Sequence, residues 1–196
     1  MKKWIVPGVI LILIAMWVIS GYNSIVGLRN NAETAWSNVE SSYQRRNDLI
    51  GNLVKTVKGA ADFEKSTLVE VINARASATK ATVNIDAGNL TPENMAQFQQ
   101  AQAGLSGSLS KLLVSVERYP DIKANRNFLE LQSQLEGTEN RINTERNRYN
   151  KSVNTYDTKV DRFPGVLLAG VFGFKQMPRY KSDAGSEKAP DVNFEF

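Results

Sequence analysis

Apolar residues return every three or four positions from Tyr22 to about Thr82, in a stretch without proline. Ile25, Leu28, Ala32, Ala35 or Trp36, Val39, Tyr43, Ile50, Leu53 and Val57 carry the repeat. An α-helix turns once per ~3.6 residues, so this spacing lays one apolar stripe along one face. It predicts a helix ending near Lys58-Gly59, with Gly59 as a left-handed C-cap and Lys55 and Lys58 at its negative end. Asp62 is the expected cap of a second helix from Phe63 to about Thr82, with Leu68, Val71 or Ile72, and Ala78 inside. The alternative is one uninterrupted helix through Gly59, since an isolated glycine is tolerated.

Residues 83–90 read as a turn. Thr91, Pro92 and Glu93 form an N-cap followed by proline at the first helical position. They open a third helix to about Arg118, through Met95, Phe98, Ala101, Leu105, Leu109, Leu112 and Val116. Gly104 and Gly107 either allow a close helix approach or weaken its middle. Pro120 disfavours helix at Tyr119, and Asp121 is the expected cap of a fourth helix, from Ile122 to about Arg162. Its stripe is Phe128, Leu131, Leu135, Ile142, Tyr149, Val153, Tyr156, Val160 and Phe163. Glu139, Arg146 and Asn140 or Asn150 fall on or beside that stripe.

Ahead of this body, no charge occurs from Trp4 through Ile19, and Lys2 and Lys3 precede the run. Counted to Tyr22, the segment approaches the ~20 residues a bilayer-spanning helix needs. Trp4 and Tyr22 stand where interfacial aromatics belong. Two readings compete, an uncleaved signal-anchor and a cleaved signal peptide. The anchor is preferred, because the apolar core is long and Trp17 precedes the small-residue site at Val18-Ile19-Ser20. The lysines predict a cytoplasmic N-terminus and a body on the periplasmic or extracellular side.

At ~1.5 Å per residue, the first and fourth helices measure roughly 54 and 60 Å, and the middle two roughly 30 and 40 Å. The expected fold class is therefore all-α. An N-terminal transmembrane helix leads into an antiparallel up-and-down four-helix bundle with long helices. A hairpin of roughly 90 Å with a kinked return arm is the alternative. Residues 1–22 are the anchor, 23–163 the bundle, 164–180 a short apolar C-terminal segment and 181–196 a flexible tail. The apolar run 165–174 is too short to span a bilayer as a helix. It either lies on the membrane or plugs the open end of the bundle.

Composition narrows the chemistry. The 196 residues include neither cysteine nor histidine. That removes disulfides, thiol catalysis, Cys/His zinc sites and any histidine base. Without histidine, the Glu-x-x-His repeats of di-iron bundles are also excluded. The net charge of +4 falls to +2 once Lys2 and Lys3 are set aside, with no long single-sign block. That balance suits a membrane surface and argues against nucleic acid. No phosphate-loop signature is present, and Glu139 and Glu145, six apart, share no helical face. No catalytic residue, cofactor or metal ligand is assigned.

Several motifs stand in order behind the N-terminal span: Tyr22-Asn23, Ala35-Trp36, and Arg45-Arg46-x-Asp48-Leu49-Ile50-x-Asn52-Leu53-Val54. Glu117-x-Tyr119-Pro120, Glu139-Asn140-x-Ile142, Arg146-x-x-Tyr149-Asn150 and Phe163-Pro164 follow. In these, over nearly its whole length, the chain resembles the LemA family, which includes a magnetosome membrane protein. The resemblance implies a helical bundle on a single-pass anchor and no particular activity. Where the family commonly carries a second Tyr-Asn pair, this sequence has Tyr156-Asp157.

The candidate structural or interaction residues are Trp36, Arg45, Arg46, Asp48, Glu117, Tyr119, Glu139, Asn140, Arg146, Tyr149 and Asn150. Trp36 fills the core or meets a partner. Arg45, Arg46 and Asp48 either join Glu139, Glu145 or Arg146 in a partly buried network or form a solvated face. With Tyr22 level with Phe163, equal rises put Arg46 opposite Glu139. Glu117, Tyr119 and Asp121 shape the third turn. The leading functional reading is a non-enzymatic scaffold or interaction protein of the bacterial envelope. It would be held in the lipid bilayer through residues 4–20, with an envelope protein or copies of itself as partner. The second reading is a membrane-surface or membrane-shaping protein, related in role to magnetosome membrane proteins.

Overall fold

A computed structural model describes residues 5–59 and 63–181. Among these the regular structure is helical throughout. Six helices follow in chain order: α1 (Ile5–Lys58), α2 (Lys65–Val83), α3 (Pro92–Val116), α4 (Pro120–Lys123), α5 (Arg126–Asp161) and α6 (Gly165–Phe172). Lys2, Lys3, Trp4, Asp62 and residues 182–196, with the expectations placed on them, lie outside the described residues.

Helix α1 is 54 residues long and continuous across Tyr22. Its first buried side chain is Ile25, and its large apolar residues before that point are exposed apart from the half-buried Val18. From Ile25 onward its inner face packs along α5, and α2 packs along α3 and against α1. The chain therefore folds as an antiparallel bundle of α1, α2, α3 and α5, and the uninterrupted long hairpin is not formed. Three apolar clusters succeed one another along the axis. Ile25, Tyr156, Val160, Leu168 and Ala169 close the end nearest the apolar N-terminal segment. Trp36, Tyr43, Phe98 and Tyr149 belong to the middle cluster. Leu53, Val71, Leu112 and Leu135 belong to the far one. Residues of α1 enter all three.

The boundaries differ from the sequence expectations where local chemistry had more than one solution. Gly59 does not take the left-handed conformation. Its N–H simply continues the helical pattern to the Lys55 carbonyl at 3.3 Å. Helix α2 starts at Lys65, with Glu64 as its cap position and Phe63 ahead of it in the core. Val71 is buried, whereas Ile72 is exposed. Thr91 does cap α3, its side chain accepting from the Asn94 N–H at 3.1 Å. Gly104 and Gly107 are exposed, and no neighbour stands close to either, so the close-approach reading fails.

Asp121 does not cap the long fourth helix. Pro120–Lys123 form a single turn, α4, and the chain restarts at Asn125. The Asn125 side chain accepts from the N–H groups of Asn127 and Phe128. A side-chain oxygen that satisfies two orphan donors makes the better N-cap. Phe163 belongs to no core stripe; it is 79% exposed beyond the C-terminus of α5.

After α6 the chain turns at Gly173, whose φ of 74° ends the helix in the left-handed conformation that glycine adopts without a Cβ clash. Residues 174–181 then run without helical structure back along α5. The apolar segment 164–180 is thus two pieces, a short helix at the anchor end and a strap.

Candidate functional site

Arg46 sits on the inner face of α1 and is only 3% exposed. Its Nη1 donates to Glu139 Oε1 of α5 at 2.8 Å and to Ser106 Oγ of α3 at 3.1 Å. Its Nη2 donates to Gln102 Oε1 at 2.5 Å. Gln102 Nε2 in turn donates to Thr82 Oγ1 of α2 at 3.1 Å. One guanidinium thereby links all four long helices. Arginine suits this position because its fixed fork offers several donors at once. Glu139 remains half-exposed at 42%, so the ion pair is buried on one side only.

The register follows from helix geometry. Trp36 of α1 meets Tyr149 of α5 edge-on, with ring centroids 5.2 Å apart. Ten residues further along α1, Arg46 meets Glu139, ten residues back along α5. Two antiparallel helices of equal rise must keep such a correspondence. Trp36 is wholly buried and also makes a T-shaped contact with Phe98 at 5.4 Å.

Beside the Arg46 cluster the strap arrives. Tyr43 and Tyr180 share a hydrogen bond between their hydroxyls at 2.7 Å. The Arg146 guanidinium lies over the Tyr180 ring, 3.7 Å from its centroid. Arg46, Gln102, Glu139, Asn143, Arg146 and Tyr180 border a groove of about 270 Å³. Burial raises the Tyr43 phenol far above its ordinary range, Tyr180 adds to the rise, and Arg46 and Arg146 oppose it. Tyr43 therefore stays protonated as a neutral donor or acceptor.

Side chains of α5 hold the strap through its backbone. The Tyr156 hydroxyl donates to the Lys175 carbonyl at 2.9 Å, and the Tyr149 hydroxyl to the Pro178 carbonyl at 2.6 Å. Asp157 accepts from the Met177 N–H at 3.1 Å and pairs with Arg179 at 3.3 Å. Asn150 does both jobs: its Nδ2 donates to the Tyr180 carbonyl, and its Oδ1 accepts from the Tyr180 N–H, each at 2.9 Å. Arg146 donates to the Lys181 carbonyl at 3.2 Å. An extended segment lacking strand partners needs such substitutes, since unpaired backbone groups are costly away from water. Burial also raises the Tyr149 and Tyr156 phenols. Asp157 adds to the rise at Tyr149.

The remaining candidates lie apart. Arg45 is exposed, and with Asp48, Asn52 and Arg141 it lines a shallow groove of about 600 Å³. Asp48 is 3.9 Å from Arg75 on α2. Glu117 is exposed and pairs with Lys123, while Tyr119 packs on Phe63 with centroids 4.9 Å apart. Asn140 is exposed. Glu145 is buried and pairs with Arg148 at 2.9 Å rather than with α1. Among the described residues no three carboxylates gather into a metal-binding group. The chemistry of the site is that of holding segments together.

Sequence reasoning missed Gln102, Ser106, Asp157 and Tyr180. Gln102 had a signal, because it stands inside the α3 stripe between Phe98 and Leu105. Tyr180 had none, since its partners are set by the strap's path.

The LemA family model matches residues 35–194. The magnetosome protein MamQ of Magnetospirillum gryphiswaldense is 28% identical over 171 residues, covering 80% of this chain and 63% of that protein. Magnetosome protein MamQ 1 of Paramagnetospirillum magneticum is 28% identical over 170 residues, covering 79% and 62%. Protein LemA of Metamycoplasma hominis is 22% identical over 141 residues, covering 72% and 60%. The match with each relative thus takes in about three fifths of that relative's length.

Proposed function

The chain belongs to the LemA family, and from that premise we propose that it is a non-enzymatic, membrane-anchored helical scaffold of the bacterial envelope. Its bundle would be presented to another envelope protein or to copies of itself. The observation that carries this reading is the continuity of α1. One helix runs from an exposed apolar segment into every core cluster of the bundle. Exposed Ile, Leu and Val side chains along residues 5–19 are stable only out of water, and their length suits a bilayer. A body mounted on such a helix has no loose hinge to its anchor, which is what a positioning scaffold requires. Lys2 and Lys3 support a cytoplasmic N-terminus and a bundle outside the cytoplasm.

The Arg46 network and the strap serve the scaffold as internal fastenings, with Trp36, Tyr149 and Asn150 as their supports. Arg45, Asp48 and Asn140 offer the polar outer face for a partner. The test is in-cell crosslinking of the full-length protein with mass spectrometry of its captured neighbours. Envelope proteins or a second copy are expected; capture of cytoplasmic proteins alone would overturn the reading. Orientation is checked with a Ser110→Cys variant and an impermeant maleimide. Labelling in intact or periplasm-accessible cells is expected, and labelling only after lysis contradicts it.

The likeness to magnetosome proteins supports a second reading, a membrane-surface or membrane-shaping protein. Deformation of lipid vesicles by the full-length chain would favour it over the scaffold.

A further inference from the structure

From Phe163 to Phe174 the chain carries no polar side chain. Helix α6 turns only part of this surface inward: Gly165, Leu168 and Ala169 are buried. Val166, Leu167, Val171 and Phe172 are exposed, Val171 at 78%. A helix apolar on all sides is one that is buried on all sides in its working environment. Its position says what buries the outer face. Leu168 presses on α1 so closely that a Cβ at Gly21 would collide with its Cδ1. Tyr22 meets Phe172 edge-on at 4.9 Å and Phe174 at 5.5 Å. Val18, about 6 Å further down the helix than Tyr22, packs on the same cluster as Leu168 and Ala169. The outer face of α6 is therefore continuous with the exposed apolar surface of α1. Basic residues bracket it, Arg162 before and Lys175 after, and neither holds an ion pair among the described residues.

We propose that α6 is an interfacial foot: its outer face enters the same leaflet that receives α1, and Arg162 and Lys175 engage anionic phospholipid headgroups around it. The proposal rests on reading α1 as the anchor and deepens it. A second point of lipid contact fixes the tilt and rotation of the bundle, which a single spanning helix leaves free. A short helix of this kind buries its apolar face ~5–10 Å into the boundary between headgroups and acyl chains.

The absence of native cysteine makes the test direct. Full-length Leu11→Cys, Val171→Cys and Ser110→Cys variants carry a nitroxide in phosphatidylcholine vesicles, with and without phosphatidylglycerol. Collisions with oxygen and with a water-soluble nickel complex report immersion. All three sites are exposed in the fold, and matching helical circular dichroism checks that each variant is folded. Expected are loss of most nickel collisions at 11 and at 171, their retention at 110, and a shift toward oxygen at 171 when phosphatidylglycerol is present. Arg162→Gln with Lys175→Gln should abolish that shift. A label at 171 that collides with nickel as freely as at 110, while the label at 11 is immersed, overturns the foot and leaves the anchor intact. Free nickel access at 11 overturns both. A phosphatidylglycerol shift unchanged in the double variant overturns the headgroup contact.

Discussion

Arg46 and Glu139 share one ion pair but do not share its environment. Arg46 is enclosed, whereas Glu139 reaches water. Arg46→Ala removes a buried guanidinium with its packing and leaves Gln102 and Ser106 without their donor; about 3–5 kcal/mol of stability should be lost. Glu139→Ala should cost only about 1–2 kcal/mol, because Arg46 keeps its bonds to α3 and the vacated edge of the pair is wet. A double-mutant cycle by chemical denaturation should return a coupling near 1 kcal/mol, and equal costs for the two single variants would contradict the asymmetry. The tyrosines give a pH signature. Tyr43 and Tyr149 titrate higher in the fold than the ~10 of an unfolded chain. Above pH ~10 the unfolded state sheds protons that the folded state keeps, so the stability they contribute is whole below pH ~10 and falls as pH rises. Each contributes a slope of up to ~1.4 kcal/mol per pH unit. Tyr43→Phe should flatten the alkaline limb of a stability-pH curve relative to the unaltered chain.

The strap shows what an element without its own hydrogen-bond pattern needs from its neighbours. Asn150 must both donate and accept, which its amide does from two adjacent atoms and a carboxylate cannot; Asp157 must only accept and carry charge. Asp157 needs no donor, because its strap partners are an N–H and a guanidinium. Its carboxylate meets the Met177 N–H as an amide oxygen would and adds the pair with Arg179. Asn150→Ala removes the two hydrogen bonds to the Tyr180 backbone and should cost about 1–3 kcal/mol locally. Hydrogen exchange should speed up at Met177 and Tyr180, whose N–H groups are held by α5, with α1 and α5 amides unchanged. Asp157→Asn should leave Met177 protected and loosen only Arg179.

At the scale of the whole molecule, α1 contributes to all three core clusters, so one helix ties each cluster to the others. Trp36, at the middle, touches both Phe98 and Tyr149. Trp36→Ala should therefore destabilise the bundle as a unit by about 3–5 kcal/mol. Denaturation followed by helical circular dichroism and by a probe at the far end, such as a label on Ser110→Cys, should give coincident midpoints. Separate midpoints would mean that the clusters behave as independent units.

The four long helices, the cap at Thr91, their antiparallel order and the level at which position 46 meets position 139 were legible in the residues alone. Helix formation is local, and its rise per residue is constant, so counting from one shared level predicts which positions meet. The apolar N-terminal run was legible for the same reason. Other features had to wait for the fold. Neighbouring Arg45 and Arg46 have identical chemistry, yet the rotation of α1 against α5 sends one outside and one inside. Asp121 was the legible cap, yet the chain makes a single turn there and restarts at Asn125, whose side chain bonds two backbone N–H groups. The strap was invisible because it has no period and because its partners lie 15 to 35 residues earlier on α5 and, for Tyr180, 137 residues earlier on α1. Only a folded α5 brings Tyr149, Asn150, Tyr156 and Asp157 into one line, and only that line gives residues 174–181 a path.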